Sequence, residues 1–145
     1  MQKDIQLKAM QLLVRREHSR EELRNKLLSR DFDATEIDAV LHRLAEQNLQ
    51  SDERFTEALV TVRIARGVGP VRIMAELRQK GVDDVLIETF VDSRDKDWLA
   101  RAQTVRAKRF GQALPEDYKE RAKQARFLQY RGFTSEQIRG VMKEE

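Results

Sequence analysis

The 145-residue chain contains side chains that acid–base chemistry could use, with 25 carboxylates and two histidines, but it has no cysteine. A metal site or an acid–base pair requires such residues at a spacing that brings them together, for example two ligands one helical turn apart. His18 and His42 have no His or Cys three or four residues away, and nearly all carboxylates lie within one turn of a Lys or Arg. We therefore expect both histidines at the surface, no metal, no cofactor and no catalytic residue.

The stretch GVGPVR, residues 67–72, invites comparison with a phosphate-binding loop. Arg72 stands where the pattern G-x-G-x-x-G requires its third glycine, and no strand is predicted before it. We interpret the stretch as a turn between two helices. These patterns predict a protein that is not an enzyme.

The charge distribution indicates a binding surface instead. The formal net charge is +3, and residues 99–145 hold eleven Lys or Arg against six Asp or Glu, whereas residues 1–50 hold nine of each. A local positive excess favours phosphate or an acidic protein face as the partner.

Two groups of basic residues are the candidate partner-binding residues. The first group accompanies a single acid between residues 63 and 80 and comprises Arg63, Arg66, Arg72, Arg78 and Lys80. The second contains a stripe at i, i+4 and i+7 with its flanking cations, and comprises Lys119, Lys123, Arg126, Arg101, Lys108, Arg109 and Arg131. The alternative is that they are ordinary solubilising charges. Aromatic residues are only 6% of the chain, so nucleic-acid contacts should be to phosphate rather than by base stacking.

The elements that position these residues are indicated by one phrase that occurs three times. RDFDATEIDAV begins at residue 30, KGVDDVLIETF at residue 80 and RGFTSEQIRGV at residue 131. Each has a residue that tolerates a left-handed turn (Asp31, Gly81, Gly132), a bulky apolar residue, an N-cap residue (Asp33, Asp83, Thr134), and an Ile four places later. Glu36 and Gln137 would complete capping boxes. Each phrase therefore predicts a helix end, a tight turn and a helix start.

Apolar residues at helical spacing predict two further helices before each turn. Ser19, Pro70 and Pro115 mark the predicted starts of the helices that precede the turns, and Tyr118, Ala122, Ala125 and Leu128 form the predicted apolar stripe of the last of them. The predicted fold is all-α, with about nine helices in three tandem three-helix repeats: residues 1–50, 51–97 and 98–145. Because a unit of some fifty residues has little core, we expect neighbouring repeats to pack end to end into an elongated body, with or without curvature.

The composition also bears on the compartment. Hydrophobic residues make up 40% and charged residues 37% of the chain, and the N-terminal MQKDIQLKAM lacks the apolar core of a signal peptide. We expect a cytoplasmic monomer with no membrane association.

The middle repeat resembles a known family. SDERFTEALVTVRIARGVGPVRIMAELRQKGV, residues 51–82, is similar to the signature of the RecX family of bacterial recombination regulators, and the stretches HSREELRNKL and RFLQYRGFTSEQI look like that family's segments in the first and last repeats. The resemblance implies a non-enzymatic modulator that lies in the groove of the RecA–DNA filament. Such a protein restrains filament growth, and with it ATP hydrolysis, strand exchange and the co-protease action of RecA in the SOS response.

Two alternatives stay open. The helix–turn–helix connections could form a DNA-binding module that acts independently of RecA, with a recognition helix in the groove. A plain helical scaffold would depend on neither RecA nor DNA. Under the first interpretation the partners are the RecA filament and DNA, single- or double-stranded, bound weakly and without sequence preference through phosphates.

Overall fold

The computed structural model describes residues 1–143, and within that range the chain forms nine α-helices and no strand. The helices are α1 (Gln2–Arg15), α2 (Arg20–Leu28), α3 (Ala34–Glu46), α4 (Asp52–Ala65), α5 (Pro70–Gln79), α6 (Asp84–Phe90), α7 (Asp97–Phe110), α8 (Tyr118–Arg131) and α9 (Ser135–Met142). The predicted all-α class is confirmed. The GVGPVR stretch lies at a helix–helix connection, as expected: residues 67–69 belong to the turn between α4 and α5, and Pro70 is the first residue of α5.

The three repeated phrases form the same kind of connection. Asp31, Gly81 and Gly132 follow α2, α5 and α8 with left-handed φ angles of 65°, 78° and 102°. An L-residue resists this region, and glycine and short polar residues tolerate it best. The helix end predicted at each phrase is confirmed.

The caps that start the following helices are also confirmed. The side chains of Asp33 and Thr134 accept hydrogen bonds from the third amide of α3 and α9. The Gln137 side chain accepts in turn from the amide of Thr134 and completes the predicted capping box, whereas the box predicted with Glu36 is wrong, since at Asp33 only the first of the two bonds is formed. At the middle phrase the Asp83 carboxylate accepts from the amide of Val85, at 2.9 Å. Each of these bonds joins residues only two or three positions apart in the sequence.

The predicted start of α8 is wrong. The helix begins at Tyr118 rather than Pro115, because the Asp117 carboxylate caps it by accepting from the amide of Glu120. Tyr118, predicted on the apolar stripe, is 85% exposed. The buried positions of α8 are Gln124 and Leu128.

The chain divides into two compact units by its internal contacts. The first unit comprises Met1–Leu59 with Leu77–Ile87, and the second comprises Val60–Glu76 with the chain from Glu88 onward. The middle triplet of helices is thus shared between the units, and the repeat boundaries at residues 50 and 97 stay a prediction.

Each unit has its own core. In the first, α1, α2 and α3 pack together around an aliphatic cluster of Ile5, Ala9, Leu12, Leu23, Leu27, Ile37, Val40, Leu41 and Leu44. In the second, α7, α8 and α9 pack together, and Trp98, Ala102, Leu128 and Phe133 are buried. Trp98 Nε1 donates to the carbonyl of Asp92 at 2.8 Å, so its polar edge is satisfied. None of the described helices is both long and apolar enough to cross a membrane.

Candidate partner-binding surface

The structure separates the twelve predicted cations by whether a carboxylate neutralises them. Three form ion pairs within their own compact unit, with shortest nitrogen–oxygen distances of 2.7, 3.2 and 3.3 Å. The pairs are Arg63–Glu76, Arg78–Asp84 and Lys80–Glu22. Their positive charge is largely compensated, so they are weaker candidates for an anionic partner than the sequence suggested.

Five others surround one cavity in the second unit, which we call the basic pocket. Its cations are Arg66, Arg101, Lys108, Arg109 and Arg131. The cavity has a volume of about 580 Å³, and no Asp or Glu lines it. Within residues 1–143 none of these cations belongs to an ion pair. The pocket therefore joins residues of both predicted groups around one concave, uncompensated surface.

The floor of the basic pocket is apolar. It contains the half-buried side chains of Ile64, Val105 and Phe127. The Phe127 ring meets the ring of Phe110 edge to face, with centroids 5.3 Å apart and planes at 88°. The sequence prediction missed Phe127, although its spacing of four residues before Arg131 placed it on the same helical face.

Guanidinium groups lie over the Phe127 ring. The central carbons of Arg109 and Arg131 are 5.5 and 5.7 Å from its centroid, within the range of cation–π attraction. These contacts hold the two side chains at the pocket without neutralising their charge.

Arg131 is fixed further by the α4–α5 turn. Its Nη2 donates to the carbonyl of Arg66 at 2.6 Å, and a Cβ added to Gly67 would lie only 2.9 Å from that nitrogen. Its Nε–H is buried and has no acceptor among the described residues. A buried donor without an acceptor lowers the stability of the folded state.

The same turn is locked to the α8–α9 turn by backbone contact. The amide of Gly69 donates to the carbonyl of Arg131 at 2.8 Å, and the amide of Val71 donates to the carbonyl of Gly132 at 2.9 Å. A Cβ added to Gly69 would lie 2.4 Å from the carbonyl carbon of Gly132. The residue types in GVGPVR thus serve a close approach between two turns, which positions one edge of the basic pocket.

The remaining four predicted cations lie outside the pocket lining. Lys119, Lys123 and Arg126 are exposed along α8 and have no ion-pair partner within residues 1–143; we call them the α8 stripe. Arg72 lies over the ring of Tyr130, with its central carbon 5.2 Å from the centroid. The α8 stripe is as accessible as the sequence predicted.

The first unit contains a charge cluster that the sequence did not reveal. Glu22 is 7% exposed, and its oxygens accept from Nη1 and Nη2 of Arg16 at 3.0 and 2.7 Å and from Nζ of Lys80 at 3.3 Å. Burial alone would raise the pKa of Glu22, but the hydrogen bonds and charge of Arg16, with the charge of Lys80, lower it to about 2. The cluster joins α2 to the end of α5.

The expected surface position of His18 is wrong, since its side chain is 2% exposed, whereas His42 is exposed as expected. His18 Nδ1 lies 3.0 Å from the carbonyl of Arg16, which can only accept, and Nε2 lies 3.1 Å from Nζ of Lys26, which can only donate when charged. The ring is therefore neutral with its proton on Nδ1. Burial lowers the pKa of His18, and the charges of Arg16 and Lys26 act in the same direction.

Arg106 is a second buried charge that sequence reasoning missed. Its guanidinium is 3% exposed and donates to Oε1 of Gln124 and to the carbonyls of Gly111 and Gln112, at 2.9, 2.7 and 3.0 Å. It closes the connection between α7 and α8. Its spacing of four residues after Ala102 on the apolar face was the available signal.

The fold and the surface define an all-α tandem-repeat protein with an uncompensated basic pocket. Over residues 1–143 no group of three His, Cys, Asp or Glu side chains is arranged to hold a metal ion. Family models described as the first, second and third three-helix domains of RecX match residues 7–44, 51–89 and 95–142. The chain belongs to the RecX family, which confirms both the resemblance and the tandem three-helix organisation.

Individual relatives agree over most of the chain. It is 49% identical over 133 residues to the regulatory protein RecX of Halorhodospira halophila, covering 92% of this chain and 83% of that one. It is 44% identical over 130 residues to the regulatory protein RecX of Pseudomonas savastanoi pv. phaseolicola, covering 90% of this chain and 84% of the relative. These relatives are named regulatory proteins.

Solved structures share the fold. The crystal structure of RecX from Lactobacillus salivarius superimposes with a TM-score of 0.79 at 22% identity, covering 97% of this chain and 94% of that one. A second crystal structure, of regulatory protein RecX, gives a TM-score of 0.77 at 22% identity, covering 99% of this chain and 74% of that one.

Proposed function

We propose that the chain binds the RecA–DNA filament and restrains RecA activity. Membership of the RecX family supports this proposal, because the family name refers to regulation of RecA. The observation that carries it to particular residues is the set of uncompensated cations on α7 and α8. A polyanionic nucleoprotein filament is a partner whose charge complements that surface.

The proposed action is non-enzymatic and needs no cofactor. A cytoplasmic monomer lying along the filament limits its extension, and ATP hydrolysis, strand exchange and co-protease function fall as a consequence. DNA contacts are to phosphate, weak and independent of sequence.

The direct test is a titration of the protein into filaments of RecA on single-stranded DNA, following ATP turnover and filament length together. Inhibition at substoichiometric amounts with shorter filaments is expected, because a blocked end affects every later monomer. If inhibition required one molecule per RecA and filament length stayed constant, end-blocking would be wrong and groove occlusion would remain. If ATP turnover did not change at any ratio, the proposed function would be wrong.

The residue-level test reverses charge on the α8 stripe, replacing Lys119, Lys123 and Arg126 by Glu. Inhibition should be lost while the far-ultraviolet circular dichroism spectrum stays the same. The matched control is the same reversal at three exposed cations of the first repeat, chosen from the same residue types: Lys3, Arg15 and Arg30. Inhibition retained by the α8 variant would move the contact to the first predicted group, residues 63–80.

Measuring binding to DNA in the absence of RecA distinguishes the proposed function from that of an independent DNA-binding module. Duplexes of random and of selected sequence are titrated without RecA at two salt concentrations. Weak, salt-dependent and sequence-independent affinity is expected. Selective binding of one duplex sequence would favour a recognition helix instead.

A further inference from the structure

The basic pocket combines two chemistries on one concave surface. Positive charge surrounds it, while Ile64, Val105 and Phe127 form an apolar floor that the unit's own residues leave partly uncovered. A volume of about 580 Å³ is within the range of pockets that enclose a small ligand or a few residues of a peptide. A ligand that covers both parts must carry negative charge next to an apolar group.

A nucleic-acid strand matches only half of this surface. Phosphates would satisfy the cations, but only a base could cover the floor, and such sites offer an open aromatic face for stacking. Phe127 has guanidinium groups over its ring and Phe110 against it. Trp98 is 3% exposed and lies under Arg101, whose central carbon is 4.6 Å from the ring centroid. Neither ring offers a free platform for a base.

The α8 stripe has the opposite character. Lys119, Lys123 and Arg126 are exposed along one side of a helix and do not line the pocket. Such a row suits the regular charges of a phosphate backbone, for which long, solvated Lys and Arg side chains are the usual contacts.

We infer that the basic pocket binds an acidic peptide segment with one bulky apolar side chain, and that the α8 stripe makes the phosphate contacts. The apolar side chain packs against Ile64 and Val105 of the floor, while carboxylates on either side bind the surrounding guanidinium groups. The inference rests on the proposed function only for the source of the segment, which is the protein component of the filament.

The test uses the full chain and three fluorescein-labelled probes. The first is a short peptide of Asp and Glu residues with a central Phe, the second has Ser in place of that Phe, and the third is an oligothymidylate of equal charge. The Phe peptide should bind about tenfold more tightly than the Ser peptide, because burying an aromatic side chain adds an apolar contribution to the same electrostatics. Equal affinities for the two peptides would overturn the inference.

Two sets of variants separate the pocket from the stripe. Ala100→Trp fills the pocket from α7 without changing any charge, and Thr104→Met is a smaller filling at a second lining position. Both should weaken binding of the Phe peptide while the affinity for oligothymidylate stays within about twofold, since phosphate binding depends on charge. Replacing Lys119, Lys123 and Arg126 by Ala should weaken binding of oligothymidylate and leave the affinity for the Phe peptide largely unchanged. If pocket filling weakened oligothymidylate as much as the peptide, the pocket would be a phosphate site and the inference wrong.

The outcome is independent of the RecA assay. A pocket that binds the Phe peptide in a protein without effect on RecA would leave this inference standing and remove the proposed function. If Ala100→Trp still inhibited RecA and the two peptides bound with equal affinity, the proposed function would stand and this inference would be wrong.

Discussion

Replacing Glu22 by glutamine tests whether one buried carboxylate holds the first compact unit together. Glu22 accepts two hydrogen bonds from Arg16 and one from Lys80, and its side chain is only 6% exposed. Glutamine keeps the shape and one acceptor oxygen but removes the charge. The variant leaves Arg16 and Lys80 in a half-buried cluster with no anion between them. Removing one partner of a buried ion pair in this way is strongly destabilising.

The pKa of Glu22 gives the magnitude. A fall from 4.5 to about 2 favours the charged carboxylate in the folded state. At 1.36 kcal/mol per unit, this amounts to about 3 kcal/mol of stability at neutral pH. Since the folded pKa lies below the unfolded value, the contribution is complete above pH 4.5 and disappears as the pH falls toward 2. By pH 3 about 2 kcal/mol of it should be gone.

The assay is urea unfolding of the wild type and Glu22→Gln, followed by circular dichroism at pH 7 and in steps down to pH 3. At pH 7 the midpoint of the variant should fall by roughly 1 to 2 M urea. The control is Asp38→Asn, which removes the same charge from the exposed Arg24–Asp38 pair and should leave the midpoint within experimental scatter. A Glu22→Gln effect no larger than that of Asp38→Asn, or one that did not shrink on acidification, would refute the reasoning.

Three further expectations concern other buried contacts. Gly69→Ala should destabilise the second unit by about 2–4 kcal/mol in thermal unfolding, because the new Cβ meets the Gly132 backbone and breaks hydrogen bonds; unchanged stability would show that the turns can separate freely. For His18, the lowered pKa means that stability falls as the pH drops below 6.5; His18→Gln should remove this slope in urea unfolding at pH 7.5 and 5.5, and a slope that persists would point to another group. Arg106→Met leaves the carbonyls of the α7–α8 connection without their donor, so limited proteolysis within residues 111–117 should accelerate at unchanged helicity; equal cleavage rates would contradict this role.

The part of the fold that the sequence predicts is the part with local causes. The left-handed residue, the cap and the helix start of each repeated phrase interact within about one helical turn, so residue types at fixed spacing are sufficient. The prediction of where α8 begins was wrong because two local signals compete there. Pro115 is suited to a first helical turn, but Asp117 supplies a side-chain acceptor to a free amide, and the helix begins after it.

The candidate surface was predicted in composition but not in arrangement. Charge counts cannot show that Lys80 meets Glu22, which lies 58 residues earlier, or that the two predicted groups supply one pocket. Burial of His18 and Arg106 likewise depends on partners that only the folded chain brings together. The twelve predicted cations therefore fall into four sets: five line the basic pocket, three form the α8 stripe, three are in ion pairs, and Arg72 lies over Tyr130.

The repeated turn also packs against the start of another helix, as the first unit shows. Ser19, which caps α2, donates from Oγ to the carbonyl of Lys80 at 2.7 Å. A Cβ added to Gly81 would lie 2.6 Å from Cβ of Glu21. The turn of the second repeat is thus docked against the start of the second helix of the first repeat.

The second unit repeats this contact one repeat further along the chain. The turn at Gly132 receives hydrogen bonds from the start of α5, and a Cβ added to Gly132 would lie 2.4 Å from Cβ of Arg72. Asp31 occupies the same left-handed position in the first turn but carries a Cβ, which excludes so close an approach. Glycine is therefore present at the two turns that dock this closely, whereas the first turn has Asp31 at the same position.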